Sequence, residues 1–278
     1  MIQYDQLIDQ LIDLAIEEDI ATGDVTTNSI IPAHSRAVAE MKMKADGVIS
    51  GLSVARRVYE RFEKDIVWHP LVQDGDRVKK GDIILRIEAS YRCLGERLSL
   101  NILQRMSGIA TETAKYVREL DGSHTRLLDT RKTAPGLRVL DKMAVKDGGA
   151  TNHRMGLYDM AMIKDNHIKV AGGITNAVRA VRANVPDGIK IEVETTNLEE
   201  VREALSVKAD IIMLDNMAND EMAEAVRIIA GQAQTEASGN MNIPRLKEVA
   251  ATGVDFISVG ALTHSVTALD ISMNIKNN

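Results

Sequence analysis

The sequence has few of the residues on which several classes of protein depend. Cysteine occurs once in 278 residues, and the aromatic residues are two Phe, five Tyr and one Trp. A single cysteine excludes an intramolecular disulfide and a cysteine-based metal cluster, which fits a reducing compartment. So few aromatic side chains also argue against a nucleic-acid platform on which bases stack. The core is therefore expected to be mainly aliphatic.

Basic charge and long apolar runs are also lacking. Lys and Arg number 34 against 40 Asp and Glu, which gives a net charge of −6 and no basic excess to attract a nucleic-acid backbone. No apolar run approaches the ~20 residues that span a membrane. Residues 1–5 lack the basic start and apolar core of a signal peptide. These absences predict a cytoplasmic protein with neither a nucleic-acid nor a membrane partner.

The N-terminal part of the chain mixes helical and strand patterns. Apolar residues at helical spacing predict a helix that begins near Asp5, and small or apolar residues alternate with polar ones over 37–45, as in a half-buried strand. A long helix is predicted over 93–120, with a break at Ser107 and Gly108. This part is therefore expected to combine helices with short strands.

After Gly122 the pattern becomes strand, loop and helix, repeated several times. The candidate strands are 126–129, 160–164, 189–194, 211–215, 235–237 and 256–259, and the clearest helices between them are 175–183, 198–205 and 220–229. Repeated βα units imply a parallel sheet, open or closed into a barrel. Because these units are fewer than a complete (β/α) barrel has, we expect a barrel with fewer strands or with one weak strand that the pattern does not reveal.

Charged or small residues stand where several predicted strands end. These residues are Asp129, Lys164, Glu194, Asp215 and Gly260. Functional residues at the carboxyl ends of successive strands are typical of a (β/α) barrel, whereas an open doubly wound sheet gathers its ligand at one switch point. The pattern therefore favours the barrel arrangement and predicts an active site at this edge.

Cationic side chains are concentrated after neighbouring strands. They are Arg131, Lys132, His153, Arg154 and Lys164. Any one of them is most simply a solvated loop charge, but the set in a net-acidic chain predicts a pocket for an anion, because Arg offers a planar fork to a carboxylate or phosphate. Lys164 also leaves open a Schiff-base enzyme of the aldolase type.

Two carboxylates and two small-residue loops complete the candidate site. Glu194 and Asp215 follow consecutive strands, where they either hold Mg²⁺ and stabilise a developing positive charge or merely cap the next helices. Residues 238–240 and 260–261 lie between a strand and a helix in the last two units. Small residues there let backbone N–H groups reach a phosphate.

Two other features have simpler interpretations. Lys42 between two methionines, followed by the acidic turns of 74–82, also occurs in biotinyl and lipoyl carrier modules. In such modules the modified lysine lies at a hairpin tip, whereas Lys42 is predicted inside a strand. Cys93 on an amphipathic helix is best interpreted as a small core residue.

Taken together, the motifs resemble the quinolinate phosphoribosyltransferase family. The matching segments are 23–27, Arg97 with Asn101 before 107–111, 130–136, 148–154, 163–167, 192–194, 214–216, 236–239 and 258–260. They occur in the same order along almost the whole chain. A paralogue linked to molybdenum transport shares the fold and the Arg-Lys-Thr motif but is expected to lack 163–167, which is intact here. A non-catalytic carrier module is the alternative from a different class.

The resemblance implies a glycosyltransferase of pyridine nucleotide and NAD biosynthesis. Such an enzyme joins quinolinate to phosphoribosyl pyrophosphate with Mg²⁺ and yields nicotinate mononucleotide, pyrophosphate and CO₂. The resemblance implies an N-terminal α/β sandwich domain over 1–107, completed by 265–278, and an open (β/α) barrel of about seven strands over 108–264. It also implies a homodimer whose active site is composite.

The resemblance assigns a role to each matching residue. Quinolinate is expected to contact Arg131, His153, Arg154 and Lys164, together with Arg97 of the partner subunit. The catalytic residues at the phosphoribosyl moiety are expected to be Lys132, Glu194 and Asp215, with Glu194 and Asp215 at the metal. The remaining substrate contacts, mostly at the 5′-phosphate, are expected from Thr130, Ser238, Gly239, Asn240, Val259, Gly260 and Ala261.

The chemistry of the residues agrees with these roles. Two ring carboxylates require cationic partners, because a buried anion without one is costly. Glu194 suits the positive charge that develops on the ribose as pyrophosphate leaves, and no side-chain nucleophile is needed. One departure is Asn240, which stands where the family often has a second glycine.

Overall fold

The structure is a computed structural model that describes residues 4–276, and these divide into two units. The first unit contains the described residues up to Ala114, Thr133–Gly149, and those from Thr263 onward. The second contains Lys115–Lys132 and Ala150–Leu262. The division therefore falls inside one long helix, and each unit is built from separate stretches of the chain.

The elements follow one another along the chain as an alternation of helices and strands. In chain order they are α1 (Tyr4–Ile20), α2 (Val25–Ile30), β1 (Arg36–Met43), β2 (Gly47–Val48), α3 (Leu52–Phe62), β3 (Val67–Pro70), β4 (Arg77–Val78), β5 (Ile83–Ser90), α4 (Tyr91–Leu94), α5 (Leu98–Glu119), β6 (Arg126–Leu128), α6 (Arg138–Asp147), β7 (Ala161–Ile163), α7 (Asp165–Ala171), α8 (Ile174–Asn184), β8 (Ile191–Thr195), α9 (Leu198–Ser206), β9 (Ile211–Asp215), α10 (Asn219–Ile229), β10 (Gln234–Ser238), α11 (Ile243–Ala250), β11 (Phe256–Ser258), α12 (Ala261–His264) and β12 (Ile271–Lys276). None of the helices in the described part of the chain is both long and apolar enough to cross a membrane.

The first unit is organised around an antiparallel sheet with the strand order β12-β1-β5-β3. Along β1 every second side chain is buried, as the alternation over 37–45 predicts. Met41 pairs with Leu85 of β5 and with Met273 of β12, so one face of the sheet contributes to an aliphatic core. Lys42 lies inside β1 and is exposed, not at a hairpin tip, which argues against the carrier module.

Helix α5 corrects the predicted break at Ser107 and Gly108. The helix begins at Leu98 and continues without interruption to Glu119. A Cβ on Gly108 would collide with the backbone of Thr267, and the Ser107 hydroxyl donates to the carbonyl of Ser50 over 3.2 Å. Ser107 and Gly108 are therefore small because other segments of the same polypeptide pack closely against the helix there. This packing overrides their tendency to break a helix. Cys93 precedes this helix in α4 and is buried, as expected.

The second unit contains a parallel sheet with the strand order β6-β11-β10-β9-β8-β7. All six predicted strands are confirmed, and helices α8, α9 and α10 occupy the predicted helical stretches. Within residues 4–276, β6 and β7 do not pair with each other, so the sheet is open. The α/β fold class is thus confirmed. The strand number is six, with one further parallel bridge between Leu128 and Thr151 beside β6.

Burial along the central strands explains why the sheet is so regular. In β8 and β9 almost every residue is buried on both faces, as in parallel strands covered by helices on either side. The register Thr195↔Leu214 between these strands and Ser238↔Asp215 between β9 and β10 brings their carboxyl ends to one edge. This edge carries most of the predicted site residues.

Candidate active site

Lys164 and Glu194 meet at the ends of neighbouring strands. Lys164 follows β7 and Glu194 lies in β8, with Ile163 and Val193 in register, and Lys164 Nζ is 3.3 Å from Glu194 Oε2. The Lys164 side chain is half exposed and faces a carboxylate. A Schiff-base lysine requires apolar surroundings, so this environment argues against the aldolase-type alternative.

The interpretation of Glu194 and Asp215 as helix caps is wrong. The N-cap of α9 is Asn197, whose side chain accepts the Glu200 N–H, and the N-cap of α10 is Ala218. Both carboxylates lie before these caps, at the carboxyl ends of the adjacent strands β8 and β9. Oxygen ligands of this kind suit Mg²⁺, which is commonly held by one or two carboxylates, waters and substrate phosphates.

Residues 238–240 and Asp215 belong to one hydrogen-bonded loop cluster. The Asn216 N–H donates to the Ser238 carbonyl over 3.0 Å, its amide nitrogen to Asp215 over 2.8 Å, and the Asn240 amide nitrogen to Asn216 Oδ1 over 3.2 Å. Gly239 has φ +93°, and a Cβ there would collide with the Asn216 amide. Asn216 belongs to this cluster, although it was not among the predicted site residues and was noted only as part of the segment 214–216. It adopts the left-handed conformation, which asparagine tolerates.

Arg131 and Arg154 form a repulsive pair of guanidinium groups. The Nε of Arg131 is buried and has no hydrogen-bond partner among the described residues, and Arg154 Nη1 donates to the Met160 carbonyl over 3.0 Å. Burial and then the positive charge of Arg131 lower the pKa of Arg154. Two cations in partly buried surroundings favour an anion between them. Nearby, the Lys132 N–H donates to the Thr130 hydroxyl over 3.1 Å.

His153 differs most from the sequence expectation. Its imidazole Nε2 lies 3.1 Å from a carboxylate oxygen of Glu192 and 3.1 Å from one of Glu236. Burial lowers the pKa of His153, but the two carboxylates raise it more, to about 10. Burial and the charge of Glu236 also raise the pKa of Glu192 to about 7. The Nε2 atom therefore faces these carboxylates rather than being free for a substrate.

Glu192 and Glu236 are further residues that sequence reasoning missed as members of the site. Glu192 stands two residues before Glu194 in β8, and Glu236 two residues before Ser238 in β10. Because side chains alternate along a strand, each lies on the same face as the predicted site residue, one layer deeper. The available signal was a glutamate among the apolar residues of a buried strand, which is rare without a specific partner.

The other residues of the predicted motifs lie close to the beginnings of helices or directly after a strand. Arg97 belongs to the first unit, directly before α5, and its guanidinium donates to Asn101 and Gln104 over 3.2 Å each. Val259 follows β11 and its N–H donates to Leu128, while Gly260 lies directly before α12, which begins at Ala261. His167 accepts the Lys164 N–H through Nδ1, as a cap of α7.

The fold and the cluster of charged side chains are those of an α/β protein with a candidate anion site at the carboxyl edge of an open parallel sheet. Comparison with known families makes this class specific. The family model "Quinolinate phosphoribosyl transferase, N-terminal domain" matches residues 24–107, and the corresponding C-terminal domain model matches 109–274. The chain belongs to the quinolinate phosphoribosyltransferase family.

Relatives of known sequence and structure are similar over nearly the whole chain. A probable nicotinate-nucleotide pyrophosphorylase [carboxylating] of Synechocystis sp. is 44% identical, covering 98% of this chain and 94% of its own length. The corresponding protein of Bacillus subtilis is 42% identical, with coverages of 93% and 90%. The crystal structure of NadC from Streptococcus pyogenes has a TM-score of 0.94 at 39% identity and covers 99% of this chain and 98% of its own. These matches support the family assignment and not the carrier module or the molybdenum-linked paralogue.

Proposed function

We propose that this chain is a phosphoribosyltransferase that converts quinolinate and phosphoribosyl pyrophosphate to nicotinate mononucleotide, pyrophosphate and CO₂. Within its family, the observation that carries the proposal is the guanidinium pair of Arg131 and Arg154, because two adjacent cations suit a substrate with two adjacent carboxylates. This reaction belongs to NAD biosynthesis, and we place the enzyme in the cytoplasm.

The cationic residues bind and orient the ring. Arg131 and Arg154 take the carboxylates, with Lys164 and His153 as additional donors, so that the pyridine nitrogen faces C1 of the ribose. The nitrogen lone pair forms the new bond as the C1–oxygen bond breaks and its electrons leave with pyrophosphate. The C–CO₂ bond then breaks, its electrons enter the positively charged ring, and a proton takes the place of the carboxylate.

Glu194 and Asp215 lie at the phosphoribosyl moiety of the substrate, and Lys132 lies beside its pyrophosphate. Both carboxylates offer oxygen ligands at one sheet edge and neither caps a helix, so the pair fits Mg²⁺. Mg²⁺ held by these carboxylates would supply positive charge to the pyrophosphate. Glu194 stabilises the positive charge that develops on the ribose. The backbone N–H groups of the loop 238–240 and of Gly260 and Ala261 bind the 5′-phosphate, and Thr130 lies near it.

The active site is composite in a homodimer. Arg97 of the partner subunit completes the quinolinate site of each barrel. The exposed position of Arg97 before α5, where its guanidinium is bonded only weakly to two amide side chains among the described residues, leaves it available for such a contact. Two-fold symmetry then gives two equivalent sites per dimer.

The test is a direct assay of substrate choice. The purified protein is incubated with phosphoribosyl pyrophosphate, Mg²⁺ and either quinolinate or nicotinate, and nicotinate mononucleotide and CO₂ are measured. We expect turnover of quinolinate and much slower use of nicotinate, which lacks the second carboxylate. Arg154→Gln should abolish the preference, whereas Arg179→Gln, an exposed position on α8, should retain it. Equal use of both acids by the unmodified protein would contradict the proposal.

A further inference from the structure

The loop that leads from Arg154 to β7 is closed by two reciprocal sets of hydrogen bonds. The guanidinium of Arg154, at the start of the loop, donates to the Met160 carbonyl at its end over 3.0 Å. The carboxylate of Asp159, near the end, accepts the N–H groups of Met155 over 2.6 Å and of Gly156 over 2.9 Å. Each of the two side chains is therefore bonded to the backbone next to the residue that carries the other.

Burial of apolar side chains contributes little to the conformation of this loop. At its tip Leu157 is 72% exposed and Tyr158 is 51% exposed, although the ring of Tyr158 lies against Gly156. A segment with few buried apolar contacts opens easily unless other interactions hold it. The two hydrogen bonds to Asp159 are interactions of that kind, and they close the loop at its neck.

The loop also determines where the Arg154 guanidinium lies. Its Nη1 donates to the Met160 carbonyl, and its Nη2 is 3.6 Å from the Met162 sulfur in β7. A guanidinium has five N–H donors, so these two contacts leave donors for a carboxylate. Because the Met160 carbonyl belongs to the loop, a shift of the loop would move the guanidinium as well.

A second cation makes the position of this guanidinium costly. Burial and the positive charge of Arg131 lower the pKa of Arg154, whereas the negative charges of Glu192 and Asp159 raise it. Because Arg131 repels it, an unrestrained guanidinium would move away from the site. The contact with Met160 and the charge of Asp159 oppose that movement.

We propose that Asp159 is a positioning residue: by binding the N–H groups of Met155 and Gly156, it fixes the loop that holds the Arg154 guanidinium beside Arg131, where a substrate carboxylate binds. This inference rests on the proposed function, in which the guanidinium pair binds quinolinate. Asp159 acts through Arg154 and not on the substrate directly.

The variant that tests the role is Asp159→Asn. An amide has one acceptor oxygen, so its NH₂ group would face the second backbone N–H as another donor, and one hydrogen bond of the loop is lost. Asp159→Glu keeps a carboxylate on a longer side chain and should restore part of each effect.

The matched control is Asp255→Asn. The Asp255 carboxylate also accepts two hydrogen bonds, from the N–H and the hydroxyl of Thr235, over 2.8 and 2.9 Å. These bonds lie near the amino ends of β10 and β11, whereas the site lies at the carboxyl ends. The control therefore removes a comparable interaction from the same unit without touching the loop.

The first measurement is amide hydrogen exchange by NMR on the full-length protein without substrates. In Asp159→Asn the exchange of the Met155 and Gly156 amides should become faster by roughly tenfold or more, because the loop opens more often. Asp255→Asn should leave these two amides unchanged. The amides of β9 should stay protected in every variant, which verifies that the sheet remains folded.

The second measurement separates positioning from a merely structural role. In Asp159→Asn both the KM for quinolinate and its Kd, measured by calorimetry without phosphoribosyl pyrophosphate, should rise roughly tenfold. The KM for phosphoribosyl pyrophosphate should stay within about twofold. In an Arg154→Gln background, Asp159→Asn should raise the quinolinate values by no more than about twofold, since residues that act through one another are not additive.

Several results would overturn the inference. They are unchanged exchange of both amides in Asp159→Asn, unchanged quinolinate values, an equal rise in the KM for phosphoribosyl pyrophosphate, or a full additional effect in the Arg154→Gln background. If the protein bound quinolinate without converting it, the proposed function would fall, and the Kd values would still decide the role of Asp159. Absence of quinolinate binding to the unmodified protein would overturn both.

Discussion

At the scale of single residues, the positive and negative side chains at the edge of the parallel sheet differ in how deeply they are buried. Arg131 and Arg154 are partly buried, whereas Glu192 and Glu236 are fully buried. The negative charge of Glu192 opposes the lowering of the Arg154 pKa by burial and by Arg131. Glu192 therefore offsets part of the repulsion between the two guanidinium groups.

The carboxylates proposed for the metal can be tested without changing side-chain size. Glu194→Gln and Asp215→Asn should each lower kcat on the order of 10²–10³, because each removes a charge aimed at the transition state. The requirement for Mg²⁺ should weaken in parallel. Glu199→Gln and Asp220→Asn, on the exposed faces of α9 and α10, are the controls and should leave kcat unchanged. If both site variants kept the wild-type kcat and Mg²⁺ dependence, the assignment of Glu194 and Asp215 to the metal would be wrong.

The charge of His153 also predicts how stability depends on pH. Its pKa rises from 6.5 to about 10 on folding, so its ion pairs contribute fully below about 6.5 and are lost as pH rises through about 10. The free energy of unfolding, measured with urea between about pH 6 and 10, should therefore fall more steeply for the unmodified protein than for Glu192→Gln/Glu236→Gln. Parallel curves for the two proteins would contradict the expectation.

At the scale of elements, the loop that follows β10 depends on backbone conformation more than on side-chain chemistry. Gly239 adopts φ +93° and lies against the Asn216 amide, so the loops after β9 and β10 fit together only if position 239 has no side chain. Asn240 also has positive φ and adds an amide hydrogen bond to Asn216. An asparagine is thus compatible with the loop at this position.

This fit predicts different effects of alanine at two glycines with similar dihedral angles. Gly231 has φ +74° and open space where a Cβ would lie, so Gly231→Ala should cost only the conformational strain of about 1–2 kcal/mol. Gly239→Ala adds a collision with Asn216 and should be more destabilising. It should also raise the KM for phosphoribosyl pyrophosphate, which Gly231→Ala should not do. Urea unfolding and steady-state kinetics measure both effects, and equal behaviour of the two variants would refute the steric argument.

At the scale of the whole molecule, the proposed composite site makes a quantitative prediction about mixed dimers. Arg97→Ala and Arg131→Ala homodimers should each be nearly inactive. After subunit exchange, random reassortment puts half of the dimers in the mixed form, and each mixed dimer has one site with both arginines, so activity should recover to about a quarter of the wild-type value.

The control for this experiment is the mixing of two differently tagged samples of the same variant. That mixture undergoes the same exchange but restores no complete site. Exchange is verified by co-purification of the two tags. Recovery no greater than the sum of the separate variants would show that Arg97 serves its own barrel or none.

The sequence by itself predicted the elements whose pattern is local. Alternation over 37–45 predicted β1, and the repeated βα pattern after Gly122 predicted all six parallel strands and the helices between them. The residues at strand ends could also be anticipated, because parallel strands bring their carboxyl ends to one edge whatever the details of packing. The contact between Lys164 and Glu194 follows directly from that rule.

Tertiary structure decided the features that depend on contacts distant in sequence. Gly108 looks like a helix breaker locally, and only the close approach of Thr267 shows that α5 continues through it. The pairing of His153 with Glu192 and Glu236 joins a loop to two strands that are not adjacent in the sheet. Periodicity reports which face a side chain occupies but not which partner it meets there, because that depends on how distant strands align. The charge state of His153 is therefore a property of the fold, although the histidine and both glutamates are visible in the sequence.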